Sequence, residues 1–156
     1  TAPLHLVLVG VADPGNVGTL IRTAEAVGAH SVVVADGSAD PWAPKVVRSS
    51  AGSVWRVALD RGPASAALAR LGGEGHLRVA AVGGDGPAPH DLDLSGPVAV
   101  VLGSEAHGLP PEILAQVDVR ASLPMAGAVE SLNVAVAGSV LAFEVVRQRA
   151  VAGGAP

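Results

Sequence analysis

Short apolar runs alternate along the chain with segments in which apolar residues recur every three or four positions. A run that is apolar at nearly every position is typical of a strand covered on both faces of a parallel sheet. We therefore predict strands at 4–11, 31–35, 54–59, 77–82 and 98–103.

The segments between these runs predict helices. The first spans 16–27, with Asn16 as its N-cap, and its apolar stripe consists of Val17, Leu20, Ile21, Ala24 and Val27. Further helices are predicted within 40–53, over 64–71 and 110–117, and from 131 to 149. This alternation predicts an α/β fold with a mostly parallel sheet flanked by helices. We expect one domain over residues 1–150 and a disordered tail at 151–156.

The last predicted helix is apolar on nearly every side. Its apolar residues are Leu132, Val134, Val136, Val140, Leu141, Phe143 and Val145, and its small residues are Ala135, Gly138, Ser139 and Ala142. A helix of this kind is buried in a core or in an interface. The small residues would let another helix come close. Since one domain of 156 residues has limited room to surround the last helix, we predict a homodimer.

Charge and aromatic content argue against strong binding of nucleic acid by this chain alone. It has 10 basic and 14 acidic residues, for a net charge of −4, and Trp42, Trp55 and Phe143 are its only aromatic residues besides histidine. Phosphate contacts favour a basic surface, and unpaired bases stack on aromatic side chains. We therefore expect few stacking surfaces.

The composition also bears on location. No apolar run approaches the ~18 residues of a membrane-spanning helix, and no secretory leader precedes the first strand. Cysteine is absent, so no disulfide framework is expected. We predict a cytoplasmic protein that does not contact membranes.

Several common catalytic motifs are missing. The chain contains neither GxGxxG nor GxxxxGK[ST], and it lacks HExxH and GxSxG. Its five histidines are scattered, so we expect no metal site. Instead, glycine-rich turns with polar residues follow the predicted strands, at the edge of an α/β sheet where ligands bind.

Three segments carry the candidate chemistry: N-x-G-x-x-x-R from Asn16 to Arg22, LGSEAHGL at 102–109 and LPMAGAVESLNVAVA at 123–137. Each also has a purely structural interpretation. Asn16 would cap a helix while Arg22 pairs with Glu25, Glu105 would cap backbone N–H groups of its own loop, and Ser131 or Asn133 would cap the last helix.

In this order, the three segments closely resemble the motifs of the SpoU branch of the SPOUT methyltransferases. The segment KVVRSSAGSVWRV at 45–57 also resembles that family, so the similarity extends over about 4–149. The resemblance implies transfer of methyl from S-adenosylmethionine to a ribose 2′-hydroxyl of tRNA or rRNA. It further implies a SPOUT-like C-terminal deep trefoil knot and a homodimer whose active sites lie near the shared interface.

The resemblance also implies roles for individual residues. The cofactor would lie against loops at 82–86, 102–108 and 123–132, with contacts from Val82, Gly83, Leu102, Gly103, Gly108, Leu123, Met125 and Leu132. The catalytic set would be Arg22, Asn16, Ser131, Asn133 and Glu105. Arg22 would bind an RNA phosphate and stabilise the developing alkoxide, because a guanidinium is a poor proton acceptor.

The other polar residues have supporting roles on this interpretation. Asn16 would orient Arg22 or the ribose, and Ser131 and Asn133 would hydrogen-bond to the substrate, the cofactor or Arg22. Glu105 would either hold its loop or orient the site. Many relatives have an N-terminal RNA-binding domain, and we expect that one is absent from this chain. Two alternatives stay open: a non-catalytic knotted domain that binds RNA or a partner, and a small-molecule nucleotide-binding protein.

Overall fold

A six-stranded, all-parallel sheet forms the centre of the computed structural model, which describes residues 1–153. The strands are β1 (Leu4–Leu8), β2 (Ser31–Ala35), β3 (Leu59–Gly62), β4 (Leu77–Val82), β5 (Val98–Leu102) and β6 (Val119–Ser122). The helices are α1 (Pro14–Ala26), α2 (Pro44–Ser49), α3 (Ala64–Gly73), α4 (Pro111–Leu114) and α5 (Val134–Ala152). The predicted α/β class is confirmed.

The strands lie in the order β3-β2-β1-β5-β4-β6, and helices cover both faces. On one face, α1, α2 and α5 pack on residues such as Leu6 and Val100. On the other, α3 and α4 pack on residues such as Val7 and Val101. Side chains of a strand alternate between the two faces, so β1 and β5 are buried at every position. That burial explains their continuous apolar sequences.

The two edge strands are where the sequence prediction was wrong. The strand predicted at 54–59 is largely a 3₁₀ turn at Ser53–Trp55 followed by β3, and β6 was not predicted at all. β3 has the sequence LDRG and β6 the sequence VRAS. Charged residues are tolerated on an edge strand because it is only partly covered, so neither strand has the apolar run expected of a central one.

Both long site helices begin at other residues than predicted. Asp13 caps α1, accepting hydrogen bonds from the backbone N–H groups of Gly15 at 2.7 Å and Asn16 at 3.2 Å. Asn16 therefore lies inside the first turn of α1, and its side chain is free for other contacts. Asn133, and not Ser131, caps α5.

α5 ends later than predicted, and another helix packs against its small residues. It runs through Ala152, so 151–152 are helical and not a tail, while 154–156 lie outside the described residues. A Cβ on Gly138 would lie 2.6 Å from a methyl carbon of Leu102 and 2.7 Å from one of Leu20. The Thr23 and Ser139 hydroxyls are 2.7 Å apart. The helix that comes close to these small residues is therefore α1 of the same chain.

The opposite face of α5 is exposed. Val136, Val140 and Phe143 have 48%, 47% and 50% of their surface accessible to solvent. Within residues 1–153, no helix is long and apolar enough to cross a membrane. The deep knot implied by the family resemblance stays a prediction.

Candidate functional site

A cavity of about 880 Å³ opens at the carboxyl ends of β4, β5 and β6. Its size falls within the roughly 300–1,000 Å³ usual for small-molecule and cofactor sites. The loop after each of these three strands contributes to the wall. All eight residues predicted to contact the cofactor line it, namely Val82, Gly83, Leu102, Gly103, Gly108, Leu123, Met125 and Leu132.

The loop after β5 is a tight turn that closes on Gly103. Ser104 and Gly108 exchange backbone hydrogen bonds of 2.7 and 3.2 Å, and Gly108 has φ +63°. A Cβ on Gly103 would lie only 2.6 Å from the carbonyl carbon of Gly108. Only glycine at 103 allows this approach of backbone to backbone. The turn leaves Glu105 at its tip, beside the cavity.

Three of the predicted polar residues meet through their side chains. The Asn16 amide donates to Oε1 of Glu105 at 2.8 Å, and the Asn133 amide donates to the same oxygen at 2.9 Å. The Asn133 amide also donates to Oδ1 of Asn16 at 3.0 Å. This Asn16–Glu105–Asn133 network joins α1, the loop after β5 and the start of α5.

Asn133 combines this role with capping. Its Oδ1 accepts hydrogen bonds from the backbone N–H groups of Ala135 at 2.9 Å and Val136 at 3.1 Å. The structural interpretation of this residue is therefore correct. Capping accounts only for the side-chain oxygen of Asn133, because the amide nitrogen donates to Asn16 and Glu105.

Glu105 does not cap its own loop. Oγ of Ser104 does so, accepting from the N–H groups of Ala106 at 3.2 Å and His107 at 3.4 Å. The Glu105 side chain instead accepts from the backbone of α5: its Oε1 accepts from the N–H of Val134 at 3.3 Å. The Glu105 carboxylate thus links the loop after β5 to the start of α5.

The charged residues on the cavity wall are all acidic. They are Asp85, Glu105 and Glu130, with His107 nearby, and within residues 1–153 no Lys or Arg lines the cavity. A wall of this charge favours a cationic ligand and disfavours phosphate. This observation weakens the nucleotide-binding alternative.

Ser131 and Arg22 differ in their position relative to the cavity. Ser131 lines the cavity, whereas Arg22 is exposed on α1 and is not part of the wall. Glu25 does not pair with Arg22, since its carboxylate binds Arg56 and the Ser53 hydroxyl at 2.5 Å each. The Arg56 side chain and the Ser53 hydroxyl lower the pKa of Glu25 to about 2 by hydrogen bonding to its ionised form.

Gly18 of the first motif is a packing residue. A Cβ there would lie 1.8 Å from Oγ of Ser49 and 2.7 Å from the carbonyl oxygen of Val46. Glycine therefore allows α2 to pack closely against α1. The motif thus contributes two polar contacts to the site through Asn16 and one helix contact through Gly18.

Sequence reasoning assigned no role to several polar side chains of the wall. Asp85, Ser122 and Glu130 line the cavity, and Oγ of Ser122 donates to the carbonyl oxygen of Gly84 at 2.5 Å. Asp85 follows a predicted strand and two glycines, so the rule that ligands bind at strand ends would have found it. Ser122 lies on the unpredicted β6. Within residues 1–153, no group of three His, Asp or Glu residues is arranged to hold a metal ion.

Comparison with known proteins agrees with this geometry. Residues 3–143 match the model of the SpoU rRNA Methylase family. The chain is 36% identical to the 23S rRNA (guanosine(2553)-2′-O)-methyltransferase RlmP of Bacillus subtilis, with 92% of this chain and 58% of the relative covered. It is 40% identical to the 23S rRNA (guanosine-2′-O-)-methyltransferase RlmB of Ralstonia nicotianae, with 96% and 60% covered.

Solved structures give the same result. An AdoMet-bound rRNA methyltransferase from Sinorhizobium meliloti superimposes with a TM-score of 0.88 at 33% identity, covering 93% of this chain and 56% of that one. The SpoU methyltransferase AviRb from Streptomyces viridochromogenes, in complex with AdoMet, gives 0.87 at 33% identity, with 94% and 58% covered. The chain spans about 60% of the length of the curated relatives it matches.

Proposed function

The chain belongs to the SpoU rRNA Methylase family, and we propose that it transfers the methyl group of S-adenosylmethionine to a ribose 2′-hydroxyl of RNA. We favour ribosomal RNA over tRNA as the substrate, because the curated relatives described above act on 23S rRNA. The chain spans about 60% of the length of those relatives, so activity and substrate are proposed for this chain alone.

The observation that carries this proposal is the cavity with its acidic wall. S-adenosylmethionine has a positively charged sulfonium and ammonium and one carboxylate, so its net charge is opposite to that of Asp85, Glu105 and Glu130. Gly83 and Gly108 present bare backbone to the cavity, where N–H and C=O groups can approach a ligand closely. Leu102, Leu123 and Leu132 offer apolar contact on the same wall.

These residues suit the chemistry of methyl transfer. When bound, S-adenosylmethionine supplies an electrophilic methyl group on its sulfonium sulfur. The ribose oxygen gains this methyl and gives up its proton, while the electron pair of the broken carbon–sulfur bond stays on sulfur. The protein therefore has to orient the hydroxyl, let its proton pass to a base or to water, and stabilise the negative charge that develops on its oxygen.

We assign orientation to the Asn16–Glu105–Asn133 network. It fixes the tip of the loop after β5 against α1 and α5, so that Ser131 and the cavity wall keep a constant geometry. Ser131 is exposed on the wall and can donate to substrate or cofactor. Arg22, exposed on α1, would bind a phosphate of the RNA and stabilise charge on the ribose oxygen.

We also propose that the protein is a homodimer through the exposed face of α5. Val136, Val140 and Phe143 are about half exposed, and Leu132, 40% exposed, continues this face to the cavity. A helix with an apolar outer face is usually covered in the assembled protein. An interface here would border the cavity, and the protein would act on RNA in the cytoplasm.

The test combines binding with turnover. Calorimetric titration with S-adenosylmethionine is expected to give a micromolar dissociation constant. Tritium transfer from labelled cofactor to ribosomal RNA transcripts is expected to place the methyl on a ribose, detected as resistance of the adjacent bond to alkaline hydrolysis. Arg22→Ala should retain cofactor binding and lose transfer. Binding without transfer to any RNA would instead favour the non-catalytic alternative.

A further inference from the structure

The two tryptophans of the chain form a pair on the surface. The ring centroids of Trp42 and Trp55 are 5.2 Å apart with an interplanar angle of 47°, and they are 46% and 69% exposed. The sequence predicted few stacking surfaces, and folding brings both of these residues to one place. Large exposed apolar residues that adjoin one another mark interaction surfaces.

Hydrogen bonds fix the backbone at or next to both tryptophans. The N–H of Trp42 donates to Oδ1 of Asp40 at 2.9 Å, in the segment between β2 and α2. Trp55 ends the 3₁₀ turn whose first residue, Ser53, is hydrogen-bonded to Glu25 of α1. The following residue, Arg56, binds the same carboxylate through two nitrogens. A platform anchored this way loses little conformational entropy when a flat ligand stacks on it.

The segment that carries the pair is itself rich in positive charge. Residues 41–56 contain three of the chain's 10 basic residues and no acidic residue, although the whole chain has a net charge of −4. Lys45 and Arg48 lie on α2, which joins the two tryptophans, and both are exposed. Within residues 1–153 neither forms an ion pair, whereas Arg56 and Arg61 are paired with Glu25 and Asp40.

Arg22 faces the same segment. On α1 it lies four residues after Gly18, which contacts Ser49, and three before Glu25, which contacts Ser53 and Arg56. Residues at these spacings share one side of a helix. Since Arg22 is the residue to which the proposed function assigns a phosphate contact, the tryptophan pair lies on the side of the molecule from which RNA would approach.

We propose that Trp42 and Trp55 form a stacking platform for an unpaired base of the RNA substrate, with Lys45 and Arg48 binding its phosphates. This inference rests on the proposed function. Stacking on aromatic side chains is how proteins hold unpaired bases, and a cation beside an aromatic ring adds phosphate attraction. A duplex does not offer an unstacked base, and an apolar protein partner does not need the unpaired cations.

The composition of the chain makes the first experiment specific. Because these are its only tryptophans, intrinsic tryptophan emission reports on this pair alone. Titration with a single-stranded hexanucleotide RNA, without cofactor, should quench the emission, and a blunt RNA duplex of equal charge should quench it much less. Inorganic polyphosphate, which binds cations without stacking, serves as the matched anion. Equal responses to all three would overturn the platform.

Variants then connect the platform to turnover. Trp55→Leu and Trp42→Leu are expected to raise the KM for RNA roughly tenfold or more, with S-adenosylmethionine affinity and kcat unchanged. Trp55→Phe should restore most of the loss, because phenylalanine also stacks. Circular dichroism and thermal melting establish that each variant is folded.

Other outcomes separate this inference from the proposed function. Methyl transfer with normal KM in the leucine variants would refute the platform and leave the function intact. Cofactor binding without any transfer, together with quenching by single-stranded RNA, would refute the function and support the platform. Tryptophan emission that depends on protein concentration in the absence of RNA would show that a second copy covers the pair, and would refute the platform.

Discussion

Asn16 and Asn133 are 117 positions apart in the sequence, and their side-chain amides are joined by a hydrogen bond of 3.0 Å. Both also donate to Oε1 of Glu105. One carboxylate oxygen thus connects the first helix, the loop after β5 and the last helix. A charged acceptor strengthens such bonds, so the network holds three separate parts of the site in one geometry.

Replacement of Asn133 should separate its two roles. Asn133→Ala removes the cap of α5 and both amide donors, and we expect a loss of about 1–2 kcal/mol in the free energy of unfolding together with loss of methyl transfer. Asn133→Ser keeps an acceptor for the helix N–H groups but loses the amide nitrogen that donates to Asn16 and Glu105. It should recover most of the stability, measured by urea denaturation, and little of the activity. Full activity in the serine variant would show that the network is dispensable.

The acidic wall should discriminate between the cofactor and its demethylated product. S-adenosylhomocysteine lacks the sulfonium charge, so removal of wall charges should affect it less. In the double variant Asp85→Asn, Glu130→Gln, we expect S-adenosylmethionine to bind roughly three- to tenfold more weakly, by calorimetry, and the product to change less. An equal loss for both ligands would mean that the wall does not recognise the sulfonium.

Close packing at Gly18 should make it intolerant of any side chain. A Cβ there would overlap Ser49 and the backbone of Val46, so Gly18→Ala is expected to cost about 1–3 kcal/mol of unfolding free energy. Gly73→Ala is the matched control, because it lies at the end of α3 with nothing within 4 Å of the added carbon. Chemical denaturation of the two variants, compared at equal temperature, should show the difference.

A histidine cluster at the amino-terminal edge of the sheet should make stability depend on pH. Burial, followed by the nearby His76 and His30, lowers the pKa of His5 to about 4 from 6.5, with Arg70 adding to the effect and Glu74 opposing it. The His5 and His76 rings are in edge contact at 4.9 Å, and Nδ1 of His5 lies 2.9 Å from the Ser31 hydroxyl. His5 is thus held neutral in the folded protein.

The sign follows from which state binds the proton. Between about pH 6.5 and 4 the unfolded chain protonates His5 and the folded chain does not. The free energy of unfolding should therefore decrease as the pH is lowered through this range, by at most about 3 kcal/mol. Above pH 6.5 this contribution is constant. Glu25 and Glu144, whose pKa values are lowered to about 2, weaken stability only below about pH 4.5. His5→Gln should flatten the curve from 6.5 to 4.5, and an unchanged slope would contradict the assignment.

The exposed face of α5 should control assembly. Val140→Glu places a charge on this face and should convert the dimer to a monomer, measured by light scattering after size-exclusion chromatography. Ala66→Glu, at an exposed position of α3 on the other side of the sheet, should leave the dimer intact. A wild-type protein that is monomeric at high micromolar concentration would refute the proposed interface.

Sequence patterns predicted the central part of the fold well. β1, β2 and β5 are buried at every position and β4 at its two central residues, Val79 and Ala80, so their apolar runs identify them without further information. The edge strands β3 and β6 were not predicted, because their partial exposure allows the charged residues Asp60, Arg61 and Arg120 in them. Helix starts moved by two or three residues, since several nearby polar residues were possible caps.

The sequence by itself determined the α/β class, the family and the segments that surround the cavity, because strand burial and turn chemistry are local properties of the chain. Tertiary structure alone decided which polar groups meet. Asn16 is a possible cap in the sequence and becomes a partner of Glu105 only when Asp13 takes the cap position. Trp42 and Trp55 form a surface only after the chain between them folds. The periodicity of apolar residues indicates which faces of each segment are buried. Contacts between distant segments depend on how those buried faces pack together.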